Sequence, residues 1–108
     1  MAQTVKVAFA NVAASTTDSV LVSGVSGKVI RVLQYQFVAG GTATNTTFNT
    51  KGSGAGTPIS PLYANGTNGG AIANYSQVGW IFTNSGESLT CTTGSGSTVG
   101  VLIGYDLI

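Results

Sequence analysis

Apolar residues recur along this chain at every second position, and no window repeats them at i, i+3, i+4 and i+7 for three helical turns. The first alternating segment covers 4–10, with Val5, Val7 and Phe9 on one face. A second covers 18–23, where Val20 and Val22 oppose Leu21. The longest, "KVIRVLQYQFVA" over 28–39, reads as one strand in which Val29, Leu33, Tyr35 and Phe37 share a face with Arg31. After Gly40-Gly41, Thr44, Thr46 and Phe48 alternate with Asn45, Thr47 and Asn49 over 42–51. Further strands are expected over 58–64, 71–76 and 87–93, the last with Leu89 and Cys91 inward. The two prolines of 58–64 remove ladder donors and so place that segment at a sheet edge. Gly79-Trp80-Ile81-Phe82 reads as an aromatic plug between strands.

The stretch "STVGVLIGYDLI" over 97–108 is the most apolar. Val99, Val101, Ile103, Tyr105 and Leu107 fall on one side; Gly100, Leu102, Gly104, Asp106 and Ile108 fall on the other. Apolar residues on both sides point to a central strand, its outer side thinned by glycine. Eight short antiparallel strands separated by glycine-rich turns predict an all-β fold in a single domain, 1–108. The architecture expected is a jelly-roll-like β-sandwich, with an immunoglobulin-type sandwich as the next choice and residues 1–14 as an N-terminal arm or strand.

Charge changes the picture more than length does. Only 6% of the 108 residues are charged, against about 25% in an ordinary soluble domain. Serine and threonine supply 26 residues instead, so hydroxyls must solvate the surface. A surface of that kind lacks the repulsion that keeps copies apart, and the chain is expected to assemble. The net charge of +1 spreads over Lys6, Lys28, Arg31 and Lys51 and forms no basic stripe for nucleic acid. No apolar run approaches the ~20 residues of a spanning helix, and no signal-peptide pattern is present, so neither a nucleic acid nor a membrane is expected as a partner. Cys91, the single cysteine, reads as a small buried hydrophobe, with synthesis in a reducing cytoplasm.

Chemistry-bearing residues are few. The chain has no histidine, which removes the commonest general base and the usual nucleophile–base pairs. Asp18, Glu87 and Asp106 are the only carboxylates. "SGVSGKV" has the glycines and lysine of a phosphate loop, but a strand rather than a helix follows it. The expectation is therefore a protein that is not an enzyme and binds no cofactor or metal. Arg31 stands alone in an apolar strand, and a guanidinium there calls for a carboxylate partner. Glu87 and Asp106 are the candidates for a structural or inter-subunit pair. Tyr63, Tyr75, Trp80 and Phe82 form a candidate aromatic contact surface, for other protein or for the face of a sugar.

The succession "VSGKVIRVLQYQFVAGG", "GTPISPLYANGTNGG", "VGWIFTNSGESLT" and "VGVLIGYDLI" resembles small single-domain structural proteins of tailed bacteriophages, over about residues 17–108. The matching positions are largely structural ones, among them Gly27-Lys28, Ile30-Arg31-Val32, Trp80, Gly86-Glu87, Leu89 and Tyr105. The resemblance implies a jelly-roll virion protein of the capsid decoration, or cement, type. Such a protein would be a homotrimer holding to the major capsid protein on the outside of the head. It carries over no catalytic residue. A tail-fibre adhesion or carbohydrate-binding module is the alternative reading.

Overall fold

The computed structural model describes residues 4–108, and everything in them that is regular is strand. In chain order these are β1 (Lys6–Val12), β2 (Ser19–Val22), β3 (Ile30–Ala39), β4 (Thr44–Lys51), β5 (Thr57–Pro58), β6 (Tyr63–Asn65), β7 (Gly70–Ala73), β8 (Ile81–Phe82), β9 (Ser88–Thr93) and β10 (Val99–Leu107). All pairings are antiparallel. One sheet runs β1-β10-β3, with β7 and β8 end to end along the far side of β3. The other runs β2-β9-β4, with β5 and β6 end to end along β4.

Taking β5/β6 and β7/β8 as one column each leaves eight columns, four per sheet. The chain passes from one sheet to the other at every connection between columns except that from β4 to β5/β6, and its last strand returns to lie beside its first. That winding is a jelly roll. The Cα atoms span 42 × 30 × 19 Å, the thin dimension being the two stacked layers.

The core lies between the sheets. Val12, Ile30, Val32, Phe37, Val99, Val101 and Ile103 come from the first layer, Phe48, Leu89 and Cys91 from the second. Four rings tie the layers together. Phe37 meets Tyr63 at 4.8 Å between ring centres and Phe48 at 5.8 Å. Tyr35 lies beside them, its hydroxyl sharing a 2.8 Å hydrogen bond with that of Tyr63. Buried threonines are satisfied in place; Thr46 Oγ1, for example, accepts from Asn65 Nδ2.

β10 is central, between β1 and β3, with Val99, Val101 and Ile103 buried. Several expectations are corrected. Residues 58–64 do not form one strand. Thr57–Pro58 and Tyr63–Asn65 pair separately with β4, because a second proline, Pro61, interrupts the ladder between them. The 79–82 plug is not aromatic: Ile81 fills the buried site while Trp80 and Phe82 stay half-exposed. Arg31 does not share a face with Tyr35 and Phe37. The β3–β10 register shifts so that Gly104 opposes Gln34 and Tyr105 opposes Val32. Leu33 is the extra residue of this bulge, and period-two counting changes side there. Of the expected arm, residues 6–12 are built into the first sheet as β1, while residues 1–3 lie outside the described residues.

Candidate interaction surface

The outer face of the first sheet follows from which positions alternate away from the core. On β1 the core takes Ala8, Ala10 and Val12, so Val7, Phe9 and Asn11 point out. On β10 the outward set is Gly100, Leu102, Gly104 and Asp106; on β3, beyond the bulge, it is Gln34, Gln36 and Val38. Cross-strand register assembles these into rows. Phe9 opposes Leu102, Leu102 opposes Gln36, and Gln36 opposes Ile72. On one side of that row lie Asn11, Gly100, Val38 and Gly70; on the other lie Val7, Gly104 and Gln34.

The apolar members of these rows other than the partly covered Leu102 are open to solvent. Phe9 is 79% exposed, Ile72 72% and Val7 61%. A shallow groove of about 310 Å³ runs between Phe9, Val38 and Leu102, and a smaller hollow of about 130 Å³ lies beside Ile72 and Tyr75. No residue of the three rows carries a charge. The glycines keep the middle of the face low: a side chain at Gly104 would run into Gln34, which lies across it.

At one end the face closes on an ion pair. Arg31 Nε and Nη2 donate to Asp106 Oδ1 and Oδ2 at 2.9 and 2.7 Å, the two-pronged geometry that a guanidinium and a carboxylate favour. This hydrogen bond, together with the charge on Asp106, holds Arg31 still further into its charged form, against a smaller opposing effect of burial. Phe82 lies across the ladder from Arg31. Gly79 packs against the arginine stem in a left-handed conformation, φ +97°; a Cβ there would sit 2.6 Å from Arg31 Cγ. Backbone bonds from Ser76 to Leu33 and from Trp80 to Val32 hold this loop on β3. Trp80 itself is anchored by its Nε1, which donates to Asn74 O at 2.8 Å, and about half of it faces solvent.

Two of the sequence candidates are placed elsewhere. Glu87 belongs to the other sheet, where its Oε1 accepts from Thr50 and Asn84, so Arg31 takes Asp106 as its partner. Tyr63 is a member of the inter-sheet ring cluster, whereas Tyr75, Trp80 and Phe82 are each about half exposed.

The outer face of the second sheet is of opposite character. Asp18, in a left-handed turn at φ 52°, accepts from Thr90 Oγ1, Asn49 Nδ2 and the backbone N of Gly56. Thr92 Oγ1 accepts from Asn49 Nδ2 and Asp18 N. One carboxylate thus ties the 52–56 loop, β4 and β9 into a polar net. Buried Cys91 has its thiol pushed up to about 12 by desolvation, so it stays protonated at neutral pH. Among the described residues no three His, Cys, Asp or Glu side chains come together as a metal-binding group.

Comparison of the chain with protein-family models, with curated proteins and with solved structures gives no match.

Proposed function

We propose that this protein is a structural component of a bacteriophage virion, a decoration protein that holds to the capsid surface as an oligomer and stabilises the head. The observation that carries the reading is the asymmetry of the two outer faces. The second sheet satisfies its own polar groups, while the first presents Val7, Phe9, Val38 and Ile72 to solvent around a partly covered Leu102, with no charge among them. Apolar area gathered on one broad face is expected of a surface made to meet other protein. The sparse charge of the whole chain and the sequence resemblance to small tailed-phage virion proteins support the same reading.

In this account the work is done by contact. A homotrimer bound to the major capsid protein at a local symmetry axis multiplies modest contacts, and each added contact raises residence time without raising the affinity of any one. Arg31 and Asp106 keep the end of the face rigid. Trp80, Tyr75 and Phe82 offer amphipathic rings at its margin. Incubation of the purified protein with heads that lack it tests the reading. Saturation at hundreds of copies per particle, with a higher temperature of head disruption, is expected; no binding to heads overturns it.

A second reading, a tail-fibre or carbohydrate-binding module, is favoured by one observation: the half-exposed indole of Trp80, a ring face able to stack on a sugar. Glycan arrays probed with the protein and with Trp80→Ala separate the two. Saccharide binding that disappears in the variant would select this reading over decoration.

A further inference from the structure

The geometry points to a further copy of this chain as the occupant of the apolar face on β1, β10, β3 and β7, so that the protein self-associates sheet against sheet. This rests on the reading above that the protein acts by protein contact, and it names the partner of that face. Three features favour a copy of itself over a foreign chain.

The first is charge. The rows through Val7, Phe9 and Asn11 hold no ionised side chain, and the chain carries a net +1, so two such faces meet without like-charge repulsion. A surface selected for a charged partner would show the complementary sign.

The second is hydrogen bonding. The polar groups on the face are the amides of Gln34, Gln36 and Asn11, each both donor and acceptor. An amide can pair with its own symmetry mate, which a lysine or an aspartate cannot. The face is therefore self-complementary in its polar positions as well as its apolar ones, as a symmetric interface requires.

The third is area. Four columns at about 4.8 Å make a face about 19 Å wide, and the eight residues of β3 from Arg31 to Val38 make it about 26 Å long, the neutral Arg31–Asp106 pair at its end included. Two faces of roughly 500 Å² then cover roughly 1,000 Å² together, the lower bound for a specific interface. One such contact is weak, and being self-complementary it joins copies in pairs. The relief also fits: Phe9 and Ile72 stand up at the two ends of the middle row, and Gly100 lines the groove beside Leu102.

Sedimentation velocity from roughly 1 µM to 1 mM, on the intact chain and on the Phe9→Ser/Ile72→Ser double variant, tests the inference. Both side chains are largely exposed in the single chain, so the variant should keep the native circular dichroism and urea midpoint. The intact chain should rise with concentration to a multiple of 10.8 kDa, with the variant's midpoint for association shifted by roughly tenfold or more. An intact chain that stays at 10.8 kDa throughout overturns the inference, as does association that the variant leaves unchanged. Binding to phage heads, measured on the same two proteins, separates this from the function proposed above. Self-association without head binding supports the inference and removes the decoration role. A monomer whose head binding is lost in the variant assigns the face to the capsid and overturns self-association.

Discussion

Two phenylalanines in this chain offer the same side chain in opposite circumstances, and truncating each to alanine should give opposite results. Phe37 is 1% exposed and sits among Tyr35, Phe48 and Tyr63. Phe37→Ala removes a ring that bridges the two sheets and leaves a cavity, at a cost of about 3–5 kcal/mol, a large part of the whole stability of a domain this size. Phe9 is 79% exposed. Full burial of a phenylalanine side chain is worth about 1.5–3 kcal/mol. The fifth of Phe9 already covered therefore contributes about 0.3–0.6 kcal/mol to the single chain. The remaining four-fifths, about 1.2–2.4 kcal/mol, can be gained only when another molecule covers the ring. That amount corresponds to roughly 8- to 60-fold in an association constant. Urea unfolding below the association range should show Phe37→Ala strongly destabilised and Phe9→Ala within ~0.6 kcal/mol of the parent. Sedimentation at higher concentration should show the Phe9→Ala protein dissociating roughly 8- to 60-fold more readily. Equal destabilisation by both variants would mean that β1 packs through its apolar side, and the account of the outer face would be refuted.

Asp18→Ala strands three donors, from Thr90, Asn49 and Gly56, and should cost about 2–4 kcal/mol in urea unfolding. Asp18→Asn keeps one acceptor and tolerates the left-handed backbone, and should cost less; the reverse order would remove the carboxylate from its organising role. Cys91 predicts an alkaline limit. Its folded thiol lies at about 12 against 9.0 when solvent-exposed in the unfolded chain, so below pH 9 it does not affect stability. Between pH 9 and 12 only the unfolded chain loses the proton, and stability should fall by up to about 1.4 kcal/mol per pH unit. Burial raises the Tyr35 phenol to about 12 as well, which steepens the loss above pH 10. Cys91→Ala should flatten the onset of this slope in pH-dependent unfolding; an unchanged slope would contradict the assignment. Deleting Tyr105–Ile108 removes Asp106 from Arg31 and the end of the central strand β10, and should yield unfolded protein; a well-dispersed amide spectrum would contradict the placement.

Much of the fold is legible in the sequence because side-chain alternation is a direct readout of strand faces. The two sides of β10, the inward Leu89 and Cys91 and the edge position of the proline segment all follow from it. What alternation does not encode is which side of a strand faces its own core. Val5, Val7 and Phe9 do alternate together, but the interior takes the small Ala8 and Ala10 beside β10 and leaves the larger set outside. Nor does it register an inserted residue. The bulge at Leu33 moves Arg31 to the outer face, where it meets Asp106, a contact 75 residues distant in sequence. Glu87 and Tyr63 were equally plausible candidates by composition; only the winding of the chain sends one to the second sheet and the other into the core. The row of Phe9, Leu102, Gln36 and Ile72 draws on four separate strands, and nothing local to any one of them announces it.

The central claim is that the outer face of β1, β10, β3 and β7 is covered by protein when the molecule is assembled. Attenuation of methyl signals by a soluble paramagnetic agent, recorded on the protein at high concentration, reads this residue by residue. The account predicts that the methyls of Val7, Val38 and Ile72 are shielded, while those of Val20 and Leu62, comparably solvent-exposed in the single chain but off this face, are fully attenuated. Attenuation of Ile72 and Val7 as strong as that of Val20 and Leu62 would contradict it.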